Sequence, residues 1–143
     1  MQIREVDTNT AGLREAITRF LRQLTAKERQ ITEADLEALI ASENSHLFVA
    51  VDDTGNLAGM ITVGIYQAPT GRKGWIEDVV VDEAYRGQGL GRQLTLHAIG
   101  FAKQQQVKLL SLTSNPARVA ANRLYPETGF SRKETNVYVM TFD

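Results

Sequence analysis

The chain has 143 residues, a length that fits one folded domain with a substantial core. Its composition, 43% apolar and 23% charged with a net charge of −1, excludes a disordered chain and disfavours general nucleic-acid binding. The absence of cysteine excludes thiolate catalysis and disulfides, and with only two histidines we expect no metal site. Because no apolar run is long enough for a membrane span or a secretory signal, we expect a cytoplasmic protein.

Hydrophobic spacing and turn residues predict six elements and one loop in the first 81 residues. Thr32 and Asp35 have the spacing of a capping box, which predicts the start of the second helix. The predictions are a strand at 3–6, a helix over about 10–25, a helix from Thr32, strands at 46–51 and 57–65, a loop at 67–74 and a strand at 75–81.

In the rest of the chain, an apolar stripe predicts a helix from Leu90 to about Gln106, followed by a buried strand at 107–112 and a last helix near 116–128. The order strand, glycine loop, helix and strand is a crossover unit. It therefore predicts that the strands around Val79 and Leu110 are parallel neighbours in an otherwise antiparallel sheet. The alternating tail, 135–142, is predicted to be an edge or penultimate strand.

A glycine-rich segment, Arg86-Gly87-Gln88-Gly89-Leu90-Gly91, joins the strand at 75–81 to the helix that follows. Glycines at alternate positions let the backbone turn tightly, and the start of the helix adds unpaired amides and a positive dipole end. We therefore expect a phosphate or pyrophosphate ligand, although the same pattern also fits a glycine turn without a ligand. Arg92 stands where a dinucleotide fingerprint or a Walker A loop would need glycine, so both motifs are excluded.

The segment Arg86-x-x-Gly89-x-Gly91, followed by Ala121-x-x-x-Tyr125-x-x-x-Gly129-Phe130, resembles the GNAT superfamily of acyl-CoA-dependent N-acetyltransferases. The resemblance extends over 75–133. It implies an α/β (α+β) fold: a mixed, mostly antiparallel sheet of six to seven strands, helices on both faces, one splayed parallel pair, and a single domain over 1–143. Residues 76–81 also resemble the matching strand of glucosamine-6-phosphate N-acetyltransferases, but the C-terminal half differs from them.

The resemblance implies acetyl-CoA as the cofactor, with CoA as a product. Loop amides would hold the CoA pyrophosphate, and the end of the preceding strand would pair with the pantetheine arm. The implied cofactor contacts are Val79, Val80, Val81, Arg86, Gly87, Gln88, Gly89, Leu90, Gly91 and Arg92, with further contacts from Asn115, Asn122 and Arg123. The family often has asparagine seven residues before the tyrosine, and here that position is Arg118.

Two side chains are candidates for acid–base chemistry. Tyr125 matches the position from which the family protonates the departing thiolate, although a buried tyrosine can also serve packing alone. For the base we favour Glu77, because strand alternation predicts that it shares a face with Val79 and Val81, whereas Asp78 points away. A solvated carboxylate at a strand end fits Glu77 equally well. A strand amide near Val79 or Val80 would support the oxyanion.

Direct transfer from acetyl-CoA to a primary amine suits a chain without cysteine, because no acyl-enzyme is needed. One alternative is a non-catalytic acyl-CoA-binding regulatory or sensor domain; another is a nucleotide-binding module unrelated to CoA. The acceptor could be a small-molecule amine or a protein lysine or N-terminus. Residues 1–60 carry ten acidic and six basic side chains, which favours a cationic amine. We expect no nucleic-acid or membrane partner, and the alternating tail could support a homodimer.

Overall fold

The computed structural model describes residues 1–25 and 27–142. Its elements are β1 (Gln2–Glu5), α1 (Leu13–Thr25), α2 (Glu33–Ala41), β2 (Ser45–Val51), β3 (Leu57–Ala68), β4 (Gly71–Val81), a 3-10 turn (Glu83–Tyr85), α3 (Leu90–Gln104), β5 (Leu109–Ser111) and α4 (Val119–Glu127). The helices and strands predicted between residues 3 and 128 are all present, with ends shifted by a few residues. No helix in the described ranges is long and apolar enough to cross a membrane.

The five strands form one sheet in chain order. β1 to β4 pair antiparallel, whereas β5 pairs with β4 in parallel over only three residue pairs, from Lys73 with Leu109 to Trp75 with Ser111. Parallel neighbours require a crossover connection, and α3 lies within it. The predicted mixed sheet with one parallel pair is therefore confirmed.

Helices cover both faces of the sheet, as expected. α1 and α2 bury an apolar stripe against one face, where Phe20 and Leu36 are fully buried. α3 packs on the opposite face, where Leu94 meets Ile61 and other strand residues. The predicted cap is also present, because Thr32 Oγ1 accepts a hydrogen bond from the Asp35 amide at 3.1 Å. A cap of this kind contributes roughly 1 kcal/mol to helix stability.

The predicted loop at 67–74 is wrong. β3 continues to Ala68 and β4 begins at Gly71, so only Pro69 and Thr70 lie between the two strands. The glycines that indicated a loop serve the hairpin instead. Gly71 has a φ of +128°, and a Cβ on Gly74 would lie 3.1 Å from the Leu110 side chain across the parallel pair.

The prediction of a strand at 135–142 is also wrong for the chain taken alone. Residues 131–142 form no strand and are exposed throughout, so the described sheet has five strands rather than six or seven. Alternation indicates that a segment is able to form a strand, but a strand exists only where a second one satisfies its backbone hydrogen bonds. No strand of the described chain lies beside this tail.

A β-bulge interrupts β4 shortly before its end. Thr62 pairs with Glu77 and Met60 pairs with Val80, so the single residue Ile61 lies opposite both Asp78 and Val79. Asp78 has a φ of 52°, a left-handed conformation that aspartate tolerates better than most residues. The extra residue shifts the strand's alternation by one, so side chains before the bulge and after it point to faces opposite to those that simple alternation predicts.

Candidate active site

A cleft opens where β4 and β5 part. Their pairing ends at Trp75 and Ser111, and beyond that point β4 continues to Val81 without a neighbour on this side among the described residues. The cleft has a volume of about 430 Å³. Its lining comes from α1, the end of β4, the glycine loop and α4, and includes Gln23, Leu24, Val79, Val80, Val81, Arg86, Gly91, Arg118 and Tyr125. The splay implied by the resemblance is therefore present.

The glycine loop adopts a conformation that glycine alone tolerates well. Gly87 and Gly89 have φ angles of +77° and +78°, and a Cβ built on either would meet nothing within 4 Å. Gly89 is the N-terminal cap of α3, whose first intrahelical bond runs from the Gln93 amide to the Gly89 carbonyl at 3.1 Å. The amides of residues 90–92 consequently have no partner within the helix. They form a group of donors at the positive end of a 15-residue helix.

Helix α1 holds the base of this loop through a polar network. Gln23 Oε1 accepts from the Glu83 amide at 2.9 Å and from Arg86 Nη2 at 3.4 Å. Arg86 Nε also donates to the Val81 carbonyl at 3.2 Å, so two contacts orient this guanidinium. Beside them, Arg19 Nε donates to Asp82 Oδ2 at 2.9 Å. Gln23 therefore links the helix over the sheet to the loop that follows β4.

Asp82 is the buried anchor of that network. Burial opposes ionisation of its carboxyl group, but the Ala84 amide and the side chains of Arg19 and Gln23 all donate to it. Together these donors outweigh the burial and hold the pKa of Asp82 below its usual value. The carboxylate is thus kept charged, and it fixes the turn that leads into Arg86.

Tyr125 lies on α4 and is buried in the wall of the cleft. Its ring packs edge-on against Phe130 with 5.9 Å between the ring centres. Burial raises the pKa of the Tyr125 hydroxyl, while the charge of Arg118 and its hydrogen bond act in the opposite direction. The phenol therefore stays protonated at neutral pH, and a cation lies nearby to stabilise the phenolate if the proton leaves.

Glu77 and Asp78 are exposed on a smaller pocket that adjoins the cleft and shares Leu24, Arg118 and Tyr125 with it. Although the Glu77 side chain is exposed, neighbouring atoms remove part of its hydration; this partial burial, and secondly the charge of Asp78, raises the pKa of Glu77, and a hydrogen bond from the Trp75 side chain opposes the rise. A carboxylate with a raised pKa is a better base than an ordinary one.

The predicted direction of Glu77 is wrong. Met60 and its partner Val80 both belong to the core beneath α1. Thr62 lies two residues after Met60 and therefore on the same face of β3. Since Glu77 pairs with Thr62, Glu77 also lies on the α1 face of the sheet. Val79 packs in the core on the α3 side instead. The bulge at Asp78 explains the difference, because it reverses the alternation between Glu77 and Val79.

The three further cofactor contacts implied by the resemblance, Asn115, Asn122 and Arg123, lie outside the lining of the cleft. Asn115 Oδ1 accepts from the Ala117 amide at 2.9 Å, and Asn122 Nδ2 donates to the Asn115 carbonyl at 2.9 Å. The two asparagines thus come together to shape the turn before α4, and neither lines the described cleft. Arg123 is exposed and also lies outside that lining.

Sequence reasoning did not assign several residues that line the cleft: Gln23 and Leu24 of α1, Arg118, and Val119, Ala120, Ala121 and Leu124 of α4. Arg118 could have been found, because it occupies the position where the related family often has asparagine. Gln23 and Leu24 lie on a helix more than fifty residues before the glycine loop, and no local pattern marks them.

Fold and cleft together define an acyltransferase-like α/β protein with a glycine loop at a helix N-terminus. The family model for the acetyltransferase (GNAT) family matches residues 13–130, and the chain belongs to that family.

Among curated relatives, streptothricin acetyltransferase of Streptomyces lavendulae is 38% identical over 88 residues, covering 62% of this chain and 46% of that protein. Glucosamine 6-phosphate N-acetyltransferase 1 of Oryza sativa subsp. japonica is 30% identical over 109 residues, covering 73% of this chain and 64% of that protein. The chain spans less than two thirds of the length of these relatives. A provisionally assigned acetyltransferase from Agrobacterium tumefaciens str. C58 has the same fold, with a TM-score of 0.86 and 24% identity over 99% of this chain and all of that one.

Proposed function

We propose that residues 1–143 act as one N-acetyltransferase domain that transfers an acetyl group from acetyl-CoA directly to a primary amine. One observation carries the proposal: Arg86 at the start of the glycine loop, and Gly91 among the unpaired amides of the first turn of α3, line the cleft that also contains Tyr125. Membership of the acetyltransferase family and relatives named as acetyltransferases support the same activity.

The residues present fit acetyl-CoA. The amides of Leu90, Gly91 and Arg92 would hold the pyrophosphate, with Arg86 beside them, since helix N-termini and guanidinium groups both favour phosphate. The open space around Gly87 and Gly89 leaves room for a ligand to approach the backbone. The unpaired edge of β4 at 79–81 offers backbone groups to an extended amide-bearing arm, as an added strand would use them.

Bound acetyl-CoA supplies an acetyl group activated as a thioester. Tyr125 holds a proton on Oη at neutral pH and would donate it to the sulfur that leaves, and Arg118 would stabilise the phenolate. Glu77 would accept the proton that the attacking nitrogen loses, directly or through a water molecule. An amide of Val79 or Val80 would support the oxyanion, a role in which removal of one donor typically costs about 2.7–4 kcal/mol.

For the acceptor we propose a small, cationic amine. The relatives are named for streptothricin and for glucosamine 6-phosphate, which supports a small-molecule acceptor rather than a protein. Glu77 and Asp78 place two exposed carboxylates on the pocket beside the cleft, and an ammonium group would be attracted there before it loses its proton.

Titration calorimetry with acetyl-CoA, CoA and ATP tests the cofactor assignment first. We expect micromolar binding of acetyl-CoA and CoA and none of ATP. Thiol release is then measured with a panel of amines that includes glucosamine 6-phosphate, glucosamine and a cationic aminoglycoside. No binding of acetyl-CoA at millimolar concentration by folded protein would overturn the proposal. Tight binding without turnover on any amine would favour the sensor domain instead.

A further inference from the structure

A small pocket adjoins the cleft and has a volume of about 140 Å³. Its polar lining residues are Glu77, Asp78, Thr113, Arg118 and Tyr125, and its apolar lining residues are Leu24, Ile76, Val79 and Leu112. Arg118 and Tyr125 also line the cleft, so a molecule in the pocket would lie beside a ligand bound in the cleft. A concave surface with a few polar groups among apolar side chains is the usual form of a small-molecule site.

The pocket brings together charges of opposite sign that do not neutralise one another. Glu77 and Asp78 contribute carboxylates, and Arg118 contributes a guanidinium group. Among the described residues, no ion pair within 4.0 Å includes any of these three side chains. All three residues are exposed and are therefore within reach of a ligand.

Two ion pairs on the elements around the cleft show the contrast. Arg19 meets Asp82 at 2.9 Å, and Arg92 meets Glu127 at 3.8 Å. Unpaired charges of both signs are therefore a feature of the pocket rather than of this whole part of the surface. A ligand that carries one charge of each sign would complete both ends of the pocket at once, through hydrogen bonds between charged groups.

Arg118 has hydrogen-bonding capacity left for an anion. One hydrogen bond joins its guanidinium group to Tyr125, whereas a guanidinium group has several N–H donors in one plane. The remaining donors match the paired oxygens of a carboxylate or a phosphate. Arg118 is also the N-cap residue of α4, so the positive end of that helix lies beside it and favours the same anion. Where the related family often has asparagine, this chain therefore has a group that selects for negative charge.

We infer that the acceptor is a small zwitterionic amine, whose ammonium group lies at Glu77 and Asp78 and whose carboxylate or phosphate group lies at Arg118. This assignment rests on the proposed function and adds an anionic group to the acceptor amine. A cavity of about 150 Å³ holds benzene, so a pocket of about 140 Å³ fits about six to eight non-hydrogen atoms. The acceptor is therefore about the size of a small amino acid, with its short carbon chain against the apolar lining.

The transfer itself would be the one proposed above. A bond would form between the amine nitrogen and the acetyl carbon, and the carbon–sulfur bond of the thioester would break. The ammonium nitrogen loses two protons in all: one replaces the proton that Tyr125 gives to the sulfur, and the other passes through Glu77 to water. The product keeps its anionic group but has no ammonium group, so Glu77 and Asp78 would repel it and favour its release.

Matched amines with and without the anionic group test the assignment. The pairs are alanine with isopropylamine, β-alanine with propylamine, and O-phosphoethanolamine with ethanolamine. Thiol release at saturating acetyl-CoA gives kcat/KM for each member. Because hydrogen bonds between charged groups are the strong ones, we expect the anionic member of at least one pair to be preferred by about 10- to 150-fold.

Arg118→Gln tests the residue that would bind the anion. Arg118 would also stabilise the phenolate of Tyr125, so the variant should lose turnover on both members of a pair. That loss cancels in the ratio of the two kcat/KM values, and the ratio should fall to about 1- to 3-fold. Arg118→Lys keeps the charge but not the planar fork, so its ratio should be intermediate. Arg22→Gln removes a charge from the exposed surface of α1 outside the pocket lining, and it should keep the wild-type ratio.

Titration calorimetry with acetyl-CoA separates a failure of this assignment from a failure of the proposed function. No binding by folded protein would overturn both. Binding of acetyl-CoA with equal kcat/KM within every pair would overturn the zwitterionic acceptor alone, and binding without turnover of any compound in the panel would overturn it as well. An unchanged ratio in Arg118→Gln with wild-type circular dichroism would do the same, because the anion would then bind elsewhere.

Discussion

The left-handed conformation of Gly89 makes a quantitative test of the glycine loop possible. An L-residue at a φ of +78° costs about 1–2 kcal/mol, and the lower entropy of unfolded alanine offsets about 0.4–1 kcal/mol of this. Because a Cβ at Gly89 would meet nothing within 4 Å, no steric cost is added. Gly89→Ala should therefore destabilise the fold by about 1 kcal/mol, which lowers the Tm by roughly 4 °C.

The effect of Gly89→Ala on ligand binding should be larger than its effect on stability. If the amides at the start of α3 hold a pyrophosphate, the substitution relaxes the turn that directs them and places a methyl group on the ligand side. Loss of one hydrogen bond to a charged group costs about 1.5–3 kcal/mol. We therefore expect acetyl-CoA to bind about 10- to 150-fold more weakly, as measured by titration calorimetry.

Gly55→Ala is the matched control. Gly55 lies in the turn between β2 and β3 with a φ of +90°, and it too has nothing within 4 Å of a built Cβ. The two variants should lose similar stability in thermal unfolding, but Gly55→Ala should bind acetyl-CoA like the wild type. Equal affinities in the two variants would show that the loop is a structural turn and that the pyrophosphate site lies elsewhere.

Three further substitutions test the cleft. Tyr125→Phe keeps the packing but removes the acid, so kcat should fall by about 10²–10⁴ with little change in acetyl-CoA affinity; unchanged turnover would exclude the acid role. Glu77→Gln should remove the acidic limb of the kcat/KM profile without loss of stability. Because the pKa of Glu77 is raised in the folded state, ionisation of Glu77 lowers the free energy of unfolding of the wild type as pH rises through that pKa. An unchanged kcat/KM of Glu77→Gln over pH 6–9 would refute the role of Glu77 as the base. Gln23→Ala releases Arg86, so KM for acetyl-CoA should rise about 2- to 10-fold at constant kcat, whereas exposed Arg22→Ala should change neither.

The sequence predicts the features that depend on neighbouring residues, but not those that depend on residues far apart along the chain. The glycine loop and the cap at Thr32 depend on neighbours within a few residues, and both are present where the pattern indicates them. The contact of Gln23 with Arg86 spans 63 positions, and nothing in either local sequence indicates it. The tail shows the same limit, because its alternation predicted a strand at 135–142, whereas residues 131–142 form none and no local pattern tells whether a partner strand is present.

The bulge in β4 shows how one residue can change an interpretation of function. Strand alternation put Glu77 on the face of Val79, whereas the extra residue at Asp78 puts it on the face of Val80, beneath α1. A signal for the bulge was available, since Asp78 is a left-handed-tolerant residue next to a run of valines. The bulge lies three residues beyond the last pair between β4 and β5, and Glu77, just before it, lines a pocket with Leu24 of α1 and with Val79. The candidate base therefore projects from the α1 face of the strand whose free backbone edge at 79–81 would pair with the cofactor, so an amine that reaches Glu77 has to approach from the α1 side.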